Sequence, residues 1–278
     1  MFAFRSLDVT WVLKEILDDD AKKEKRKLKV TKKEKETYQK EKVKKVGSKE
    51  GLLPTGIELL DKNLDGGLPE GSFICIYGDP VATPEAFLYQ FSATRKTYYI
   101  NTTRPSIIIR DDIKKMGFEV NDVNFIDVYS NYYLNPVLSM TQEERDKEIL
   151  DFVVKEIQKI VANESDAVNI IVDNFSFFVD LKVPQNLKDF LLNRLYNAAK
   201  ENEGFVVVYL IKDSHPKKTV VKIFDKSDII FFVDISITGS RFVKLFGIPK
   251  IRGMVTLNDI YKFEINEGVQ LDTSRDIA

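Results

Sequence analysis

Between two apolar runs, Ser72 to Tyr77 and Ala86 to about Ala93, stands the octet Gly78-Asp79-Pro80-Val81-Ala82-Thr83-Pro84-Glu85. Strand, glycine-led loop and helix in that order make a phosphate-binding loop when the loop reads G-x-x-x-x-G-K-[ST]. Backbone N–H groups then cradle the phosphates, the Lys reaches the β- and γ-phosphates, and the hydroxyl holds Mg²⁺. Here only Gly78 fits: the second Gly is Thr83, the Lys is Pro84 and the hydroxyl is Glu85. A charge-assisted hydrogen bond is worth about 1.5–3 kcal/mol, so loss of the Lys alone weakens phosphate binding roughly 10- to 100-fold. Asp79 and Glu85 add repulsion. The same residues open a helix well, with Thr83 as N-cap, Pro84 at the first helical position and Glu85 complementing the helix dipole. The expectation is a loop that keeps its shape and fills its own anion site.

Few other residues have chemistry in reach. His215, in Lys212-Asp213-Ser214-His215-Pro216, is the only histidine and Cys75 the only cysteine. A Ser-His-Asp or zinc site needs partners that the sequence does not signal, so His215 is expected to be a surface loop residue. Cys75 lies inside an apolar strand, and as the single cysteine it excludes an intramolecular disulfide and suits a reducing compartment.

The elements that would position these residues alternate between period-2 and period-3.6 patterns, which predicts a mainly parallel sheet with helices on both faces. Strands are expected at Ser72–Tyr77, Thr97–Asn101, Asn124–Val128, Asn169–Asp173, Phe205–Ile211 and Ile229–Val233. Arg241–Phe246 and Ile260–Ile265 suit antiparallel strands near an edge. Thr141 and Glu144 form a capping box before a helix whose Ile149, Val153, Ile157 and Ile160 share a face, and a further helix runs from Leu187 to about Asn202, ended by Gly204.

The chain has 278 residues, 44% hydrophobic and 31% charged, enough for one sizeable α/β core plus an extension. Three parts are expected: an amphipathic N-terminal helix over 1–20, a Lys/Glu-rich linker or helix over 21–50, and the main domain over 51–278. Val9, Val12, Leu13, Ile16 and Leu17 form the helical stripe, which must be buried on its own core, on a neighbouring subunit or on another protein. Residues 21–50 carry 14 Lys and Arg against 5 Glu, so a near-neutral total hides a basic arm on an acidic body. Such an arm is either a solvated linker, a dock for an acidic protein face, or a nucleic-acid contact. No apolar stretch approaches 18 residues and no signal peptide is visible, so no membrane span and a cytoplasmic location are expected.

Specific landmarks surround the loop. Leu53-Pro54-Thr55-Gly56-Ile57-Glu58-Leu59-Leu60-Asp61, followed by Asp65-Gly66-Gly67-Leu68-Pro69-Glu70-Gly71-Ser72, strongly resembles the P-T-G-I-x-x-L-D and G-G-[IL]-P-x-G-S segments of the KaiC/RadA-like branch of the RecA-superfamily ATPases. Lys250-Ile251-Arg252-Gly253 and Tyr261-Lys262-Phe263-Glu264-Ile265 resemble its K-M-R-G segment and closing strand. Together they bracket about residues 51 to 271. The resemblance implies a RecA-like three-layer α/β fold, mostly parallel with C-terminal antiparallel strands, preceded here by the N-terminal helical extension.

It also assigns roles. Asp173 stands where such ATPases carry the acid that holds Mg²⁺ through water, either as residual metal ligand or as loop support. The glutamate pair that activates the attacking water falls on Thr103 and Arg104, neither of which is a general base at neutral pH. Lys250 and Arg252, two apart on an extended segment, stand where the family reaches for the neighbouring subunit's γ-phosphate. They are read as a trans finger, as partners of Glu85 or Asp79 of the next subunit, or as exposed cations. With Walker A Lys and hydroxyl and both glutamates replaced, the expectation is a KaiC-like pseudo-ATPase with no catalytic residues. Its cofactor-site residues would be Gly78, Asp79, Thr83, Pro84, Glu85, Asp173, Lys250 and Arg252, with no cofactor retained, or ATP and Mg²⁺ only weakly. It would regulate or assemble a hexamer-like homo-oligomer or a complex with an active paralogue. The alternatives are a weak nucleotide sensor and a nucleic-acid accessory protein similar to recombinase paralogues, acting through 21–50.

Overall fold

The computed structural model describes residues 51–272 apart from 119, 121 and 135–138. The expected N-terminal helix over 1–20 and the basic segment over 21–50 lie outside the described residues.

The P-T-G and G-G-L-P segments fold into one small unit. β1 (Leu52–Leu53) and β2 (Leu68–Pro69) pair antiparallel around α1 (Glu58–Asn63). The Asp61 carboxylate accepts from Thr55 N at 2.8 Å, Thr55 Oγ1 at 2.7 Å and Gly56 N at 3.1 Å. The Asp therefore ties α1 to the strand before it. Gly67 has φ 132°, and a Cβ there would stand 2.0 Å from the Leu53 carbonyl oxygen, so the turn admits no side chain.

The main sheet contains β3 (Phe73–Gly78), β4 (Thr97–Asn101), β5 (Val123–Asp127), β6 (Asn169–Val172), β7 (Val206–Ile211), β8 (Ile229–Thr238), β9 (Arg241–Ile251), β10 (Leu257–Ile265) and β11 (Val269–Asp272). Their order is β11-β10-β9-β8-β3-β7-β6-β4-β5. β8 to β5 run parallel, while β9, β10 and β11 are added antiparallel. Period-2 alternation splits the strand side chains between two cores. Ile74, Ile76, Ile171, Val207 and Tyr209 face one. Phe73, Cys75, Ile170, Val172, Val206 and Val208 face the other.

On the first face, α1, α2 (Glu85–Ser92) and α3 (Ser106–Lys115) cover the sheet. On the second lie α4 (Gln142–Asn163), α5 (Phe175–Asp180), α6 (Gln185–Asn202) and α7 (Lys217–Lys226). This is the expected three-layer arrangement. α4 opens with the Thr141–Glu144 capping box, both halves formed. α6 ends at Asn202 as expected, but the left-handed residue that follows is Glu203, at φ 57°, one before the expected glycine. α2 is fixed by its ring at Phe87, which stacks on Phe246 at 4.8 Å and meets Phe263 at 5.1 Å. The loop before α2 therefore sits on a rigid element. Among the described residues no helix is long and apolar enough to cross a membrane.

Candidate functional site at the carboxyl edge of the sheet

Gly78 pairs with Ile211 on one side and Val233 on the other, so the loop leaves the sheet at the carboxyl ends of three adjacent parallel strands, where open α/β sheets bind ligands. The loop is a 3₁₀ turn, Pro80–Ala82, followed by Thr83 at φ 62° and then α2. Its N–H groups are accounted for one by one. Asp79 donates to Val233 O at 2.9 Å, Ala82 to Asp79 O at 3.0 Å, Thr83 to Pro80 O at 3.4 Å, Ala86 to Thr83 O at 3.2 Å and Phe87 to Pro84 O at 3.1 Å. Val81 donates to Asp79 Oδ1 at 2.8 Å. Pro80 and Pro84 have none to give. From Asp79 to Phe87 every N–H except that of Glu85 donates to another residue of the chain.

Side chains complete the closure. A Cβ on Gly78 would meet Pro84 Cβ at 2.9 Å, so the ring that replaces the Lys lies against the loop's first residue. Thr83 does not cap α2 as expected, because its hydroxyl accepts from Lys244 Nζ. With Thr83 in the left-handed region, the helix instead begins from Pro84, which makes no side-chain cap. Lys244 was not singled out in the sequence. Its signal is parity, since it lies two residues before the buried Phe246 on a strand and shares its inward face.

Glu85 is half-buried. Burial pushes its carboxyl above the ordinary carboxylate range, against the pull of its own N–H, Arg104 and Lys244. Arg104 is bonded to Asp112 and donates to Tyr89 Oη at 3.2 Å. A guanidinium and an ammonium thus stand by the loop, each already occupied by protein groups.

Asp173 follows β6 at the same edge and is 6% exposed. Its Oδ1 accepts from Thr102 N and Thr102 Oγ1, both at 2.8 Å, and its Oδ2 from Thr103 Oγ1 at 3.0 Å. Burial raises its carboxyl, with these hydrogen bonds opposing. Thr103, at one of the two glutamate positions, is thus spent on holding Asp173. Among the described residues no group of three or more His, Cys, Asp and Glu is arranged to hold a metal ion.

Beyond the threonines opens a cleft of about 440 Å³, walled by Tyr129, Tyr133, Asn174 and Phe177. Buried Asp146 accepts there from Tyr132 Oη, from Gln142 Nε2 at 2.7 Å and from the Lys182 N–H. Burial and the Asp146 carboxylate push the Tyr132 phenol up to about 12.

Lys250 and Arg252 are elsewhere. Lys250 pairs with Ile230, itself paired with Cys75, three residues before Gly78 and so about 10 Å down the strand. Both cations reach the end of α7. Lys250 Nζ donates to Phe224 O at 2.6 Å, and Arg252 Nη2 to Asp225 O at 2.9 Å. Arg252 Nε also stands 3.4 Å from Asp228 Oδ1.

Two expectations about single residues meet different outcomes. Cys75 is buried, and burial pushes its thiol up to about 12, which leaves it inert as a nucleophile. His215 is not a surface side chain. Its loop is outside, but the imidazole is turned inward and only 2% exposed.

A family model described as "Family of unknown function (DUF7125)" matches residues 52–278. No curated protein matches the chain. Among solved structures, the KaiC-like protein PH0186 from the hyperthermophilic archaeon Pyrococcus horikoshii OT3 superposes with a TM-score of 0.62 at 14% identity, over 80% of this chain and 98% of that one. At that identity the likeness shows the fold, and the fold is KaiC-like and RecA-like.

Proposed function

The chain belongs to the DUF7125 family, and we propose that it is a KaiC-like pseudo-ATPase, a non-hydrolysing regulatory or assembly protein of a homo- or hetero-oligomer. The observation that carries the reading is the loop's closed hydrogen-bond count. A phosphate-binding loop works by presenting unpaired N–H groups to an anion, and between Asp79 and Phe87 all but that of Glu85 donate to other residues of the chain. Pro84 packed on Gly78 and Asp173 bonded by Thr102 and Thr103 support the same reading. With nucleotide chemistry set aside, what such a scaffold has left to offer is its surface, and the reading assigns that surface to assembly with copies of itself or with an active paralogue.

Calorimetric titration of the folded full chain with ATP and Mg²⁺ to millimolar ligand tests this. No heat is expected. Micromolar binding would overturn the closed-loop reading. Size-exclusion chromatography with light scattering, alone and with an active paralogue, tests the assembly half, and a species that stays monomeric in both runs would count against it.

A second reading, weak nucleotide binding, is favoured by the cleft of about 440 Å³ beside Asp173, where rings and hydroxyls line space enough for a base or sugar. The same titration separates the two, since millimolar binding that survives changes in 79–85 but falls with Tyr133→Ala would place a ligand in the cleft rather than the loop.

A further inference from the structure

The cleft beyond Thr102 and Thr103 is walled by four aromatic rings. A π-helical turn, Ser130–Leu134, supplies Tyr132 and Tyr133, and Tyr129 and Phe177 complete the set. Tyr132 meets Tyr133 at 4.8 Å and 84° and Phe177 at 5.0 Å and 89°, while Tyr129 lies 5.2 Å from Tyr133 at 47°. Rings set at such angles do not stack, so they turn their faces in different directions around one space. The turn is anchored at its start, where Ser130 N donates to Asp127 Oδ1 at 2.9 Å, and again at Tyr132, whose hydroxyl donates to Asp146. Tyr133 is 50% exposed, so a solute can reach the rings.

The polar groups between the rings already have partners. Thr102 and Thr103 donate to Asp173, Asn174 Oδ1 accepts from Ser176 N at 3.0 Å, and Ser176 Oγ accepts from Ile211 N at 3.0 Å. Asp146 accepts from three donors. Such a lining has little with which to replace the water around a primary ammonium or a phosphate, each of which asks for several hydrogen bonds. Its charge nevertheless leans one way: Asp146 and Asp180 line the cleft against Lys182, the one basic residue of the wall among the described residues. Ring faces carry the negative part of the aromatic quadrupole and attract cations. A cation that carries methyl groups in place of N–H donors needs no hydrogen bonds, and it suits both the rings and the charge.

We propose that this cleft binds a quaternary ammonium, a trimethylammonium head group, with its methyls on the faces of Tyr129, Tyr133 and Phe177 and its charge balanced by Asp146 and Asp180. The volume of about 440 Å³ falls within the range of about 300–1,000 Å³ usual for small-molecule sites and leaves room for a short chain on the nitrogen. The site occupies the space that the second reading gives to a nucleotide but takes the opposite charge, and it stands whatever the loop after β3 holds.

The test is calorimetric titration of the folded full chain with choline, with the uncharged isostere in which a tert-butyl group replaces the trimethylammonium, and with ATP. Choline is expected to saturate and to bind about tenfold more tightly than the isostere, the worth of one or two cation–π contacts. Tyr133→Leu should remove most of that difference and Tyr133→Phe should keep it, since the ring face and not the hydroxyl makes the contact. Tyr133 is on the surface, so neither change endangers the fold. Asp180→Asn should weaken choline about threefold and leave the isostere unchanged. No saturable binding of choline, equal affinity for choline and the isostere, or choline binding undiminished by Tyr133→Leu would each overturn the inference. In the first case, ATP binding that falls with Tyr133→Ala would leave the cleft to the second reading.

Discussion

The loop after β3 and the corner after β6 lie at one edge of the sheet, separated by β7 alone, and each is filled from within by a different means. The corner is closed by side chains, since one carboxylate is held by two threonines. The loop is closed mainly by its backbone, through a 3₁₀ turn, a left-handed Thr83 and two prolines. A side-chain closure depends on single residues and opens with single changes. A backbone closure is distributed over many hydrogen bonds, so any one substitution leaves most of it standing.

The corner should therefore be the more fragile in stability. Asp173→Ala removes the acceptor of a buried N–H and two hydroxyls, and hydrogen bonds to a charged group are worth about 1.5–3 kcal/mol each before the buried donors are counted. Allowing for relaxation, a loss of about 3 kcal/mol in urea unfolding is expected. Excess Mg²⁺ should not move the wild-type midpoint. A Mg²⁺-dependent rise that Asp173→Ala abolishes would instead make the corner a metal site.

Lys250 and Arg252 supply a reference at the opposite edge, where side chains also do the closing but water is near. Lys250→Ala with Arg252→Ala should cost about 1–2 kcal/mol by freeing the last carbonyls of α7 and the Asp228 contact. Amide exchange in that last turn should quicken. If stability were unchanged while a paralogue's ATPase activity dropped, donation across an interface would replace the local role.

Glu85 sharpens the contrast from inside the loop. Its carboxyl is raised by burial, so folding favours the protonated form. The stability that such a group lends is complete at acid pH and is lost as the pH rises through its folded value. At neutral pH the charge opposes folding. Glu85→Gln should therefore raise the Tm at pH 7 modestly, and the gain should fade below about pH 4, where the wild-type carboxyl is protonated as well. A Tm that falls at pH 7 would mean that Arg104 and Lys244 outweigh burial.

Much of this architecture was legible because the signals were local and long enough. Thr97–Asn101 reads as a strand with its observed bounds, and the Thr141–Glu144 box begins the helix at the right residue. α5 was not placed, since Phe175–Asp180 is a six-residue apolar run that period alone cannot assign. β11 escaped because four residues carry too little alternation, and its pairing with β10 is a tertiary choice. β8 is longer than the expected Ile229–Val233, because its ladder with β9 continues past the buried part into a ribbon with Ile237 and Phe242 exposed, and β9 is longer at the other end, running beyond the expected Phe246 to Ile251. In the site, the residue types at 78–85 announced missing chemistry. The internal pairing of the loop amides did not follow from them, because it depends on the left-handed turn at Thr83, whose hydroxyl is held by Lys244 from 161 residues away. His215 was misread for a related reason: a loop position says where the backbone lies, and Asp180 on another element decides where the ring points.

The smallest effect is expected from the most obvious repair. Pro84→Lys restores the charge whose absence first marked the loop, yet it frees only one ring from Gly78 and adds one N–H. Asp79 still holds the Val81 amide at 2.8 Å and Val233 still holds that of Asp79, so the anion would meet amides turned to other acceptors. Opening them exposes the loop's own carbonyls at a cost that one Lys–phosphate contact, about 1.5–3 kcal/mol, does not exceed. The variant should show no ATP binding by calorimetry at millimolar ligand. If it binds, the backbone closure is a consequence of Pro84 rather than a cause of silence, and the loop and the corner differ only in which single residue shuts them.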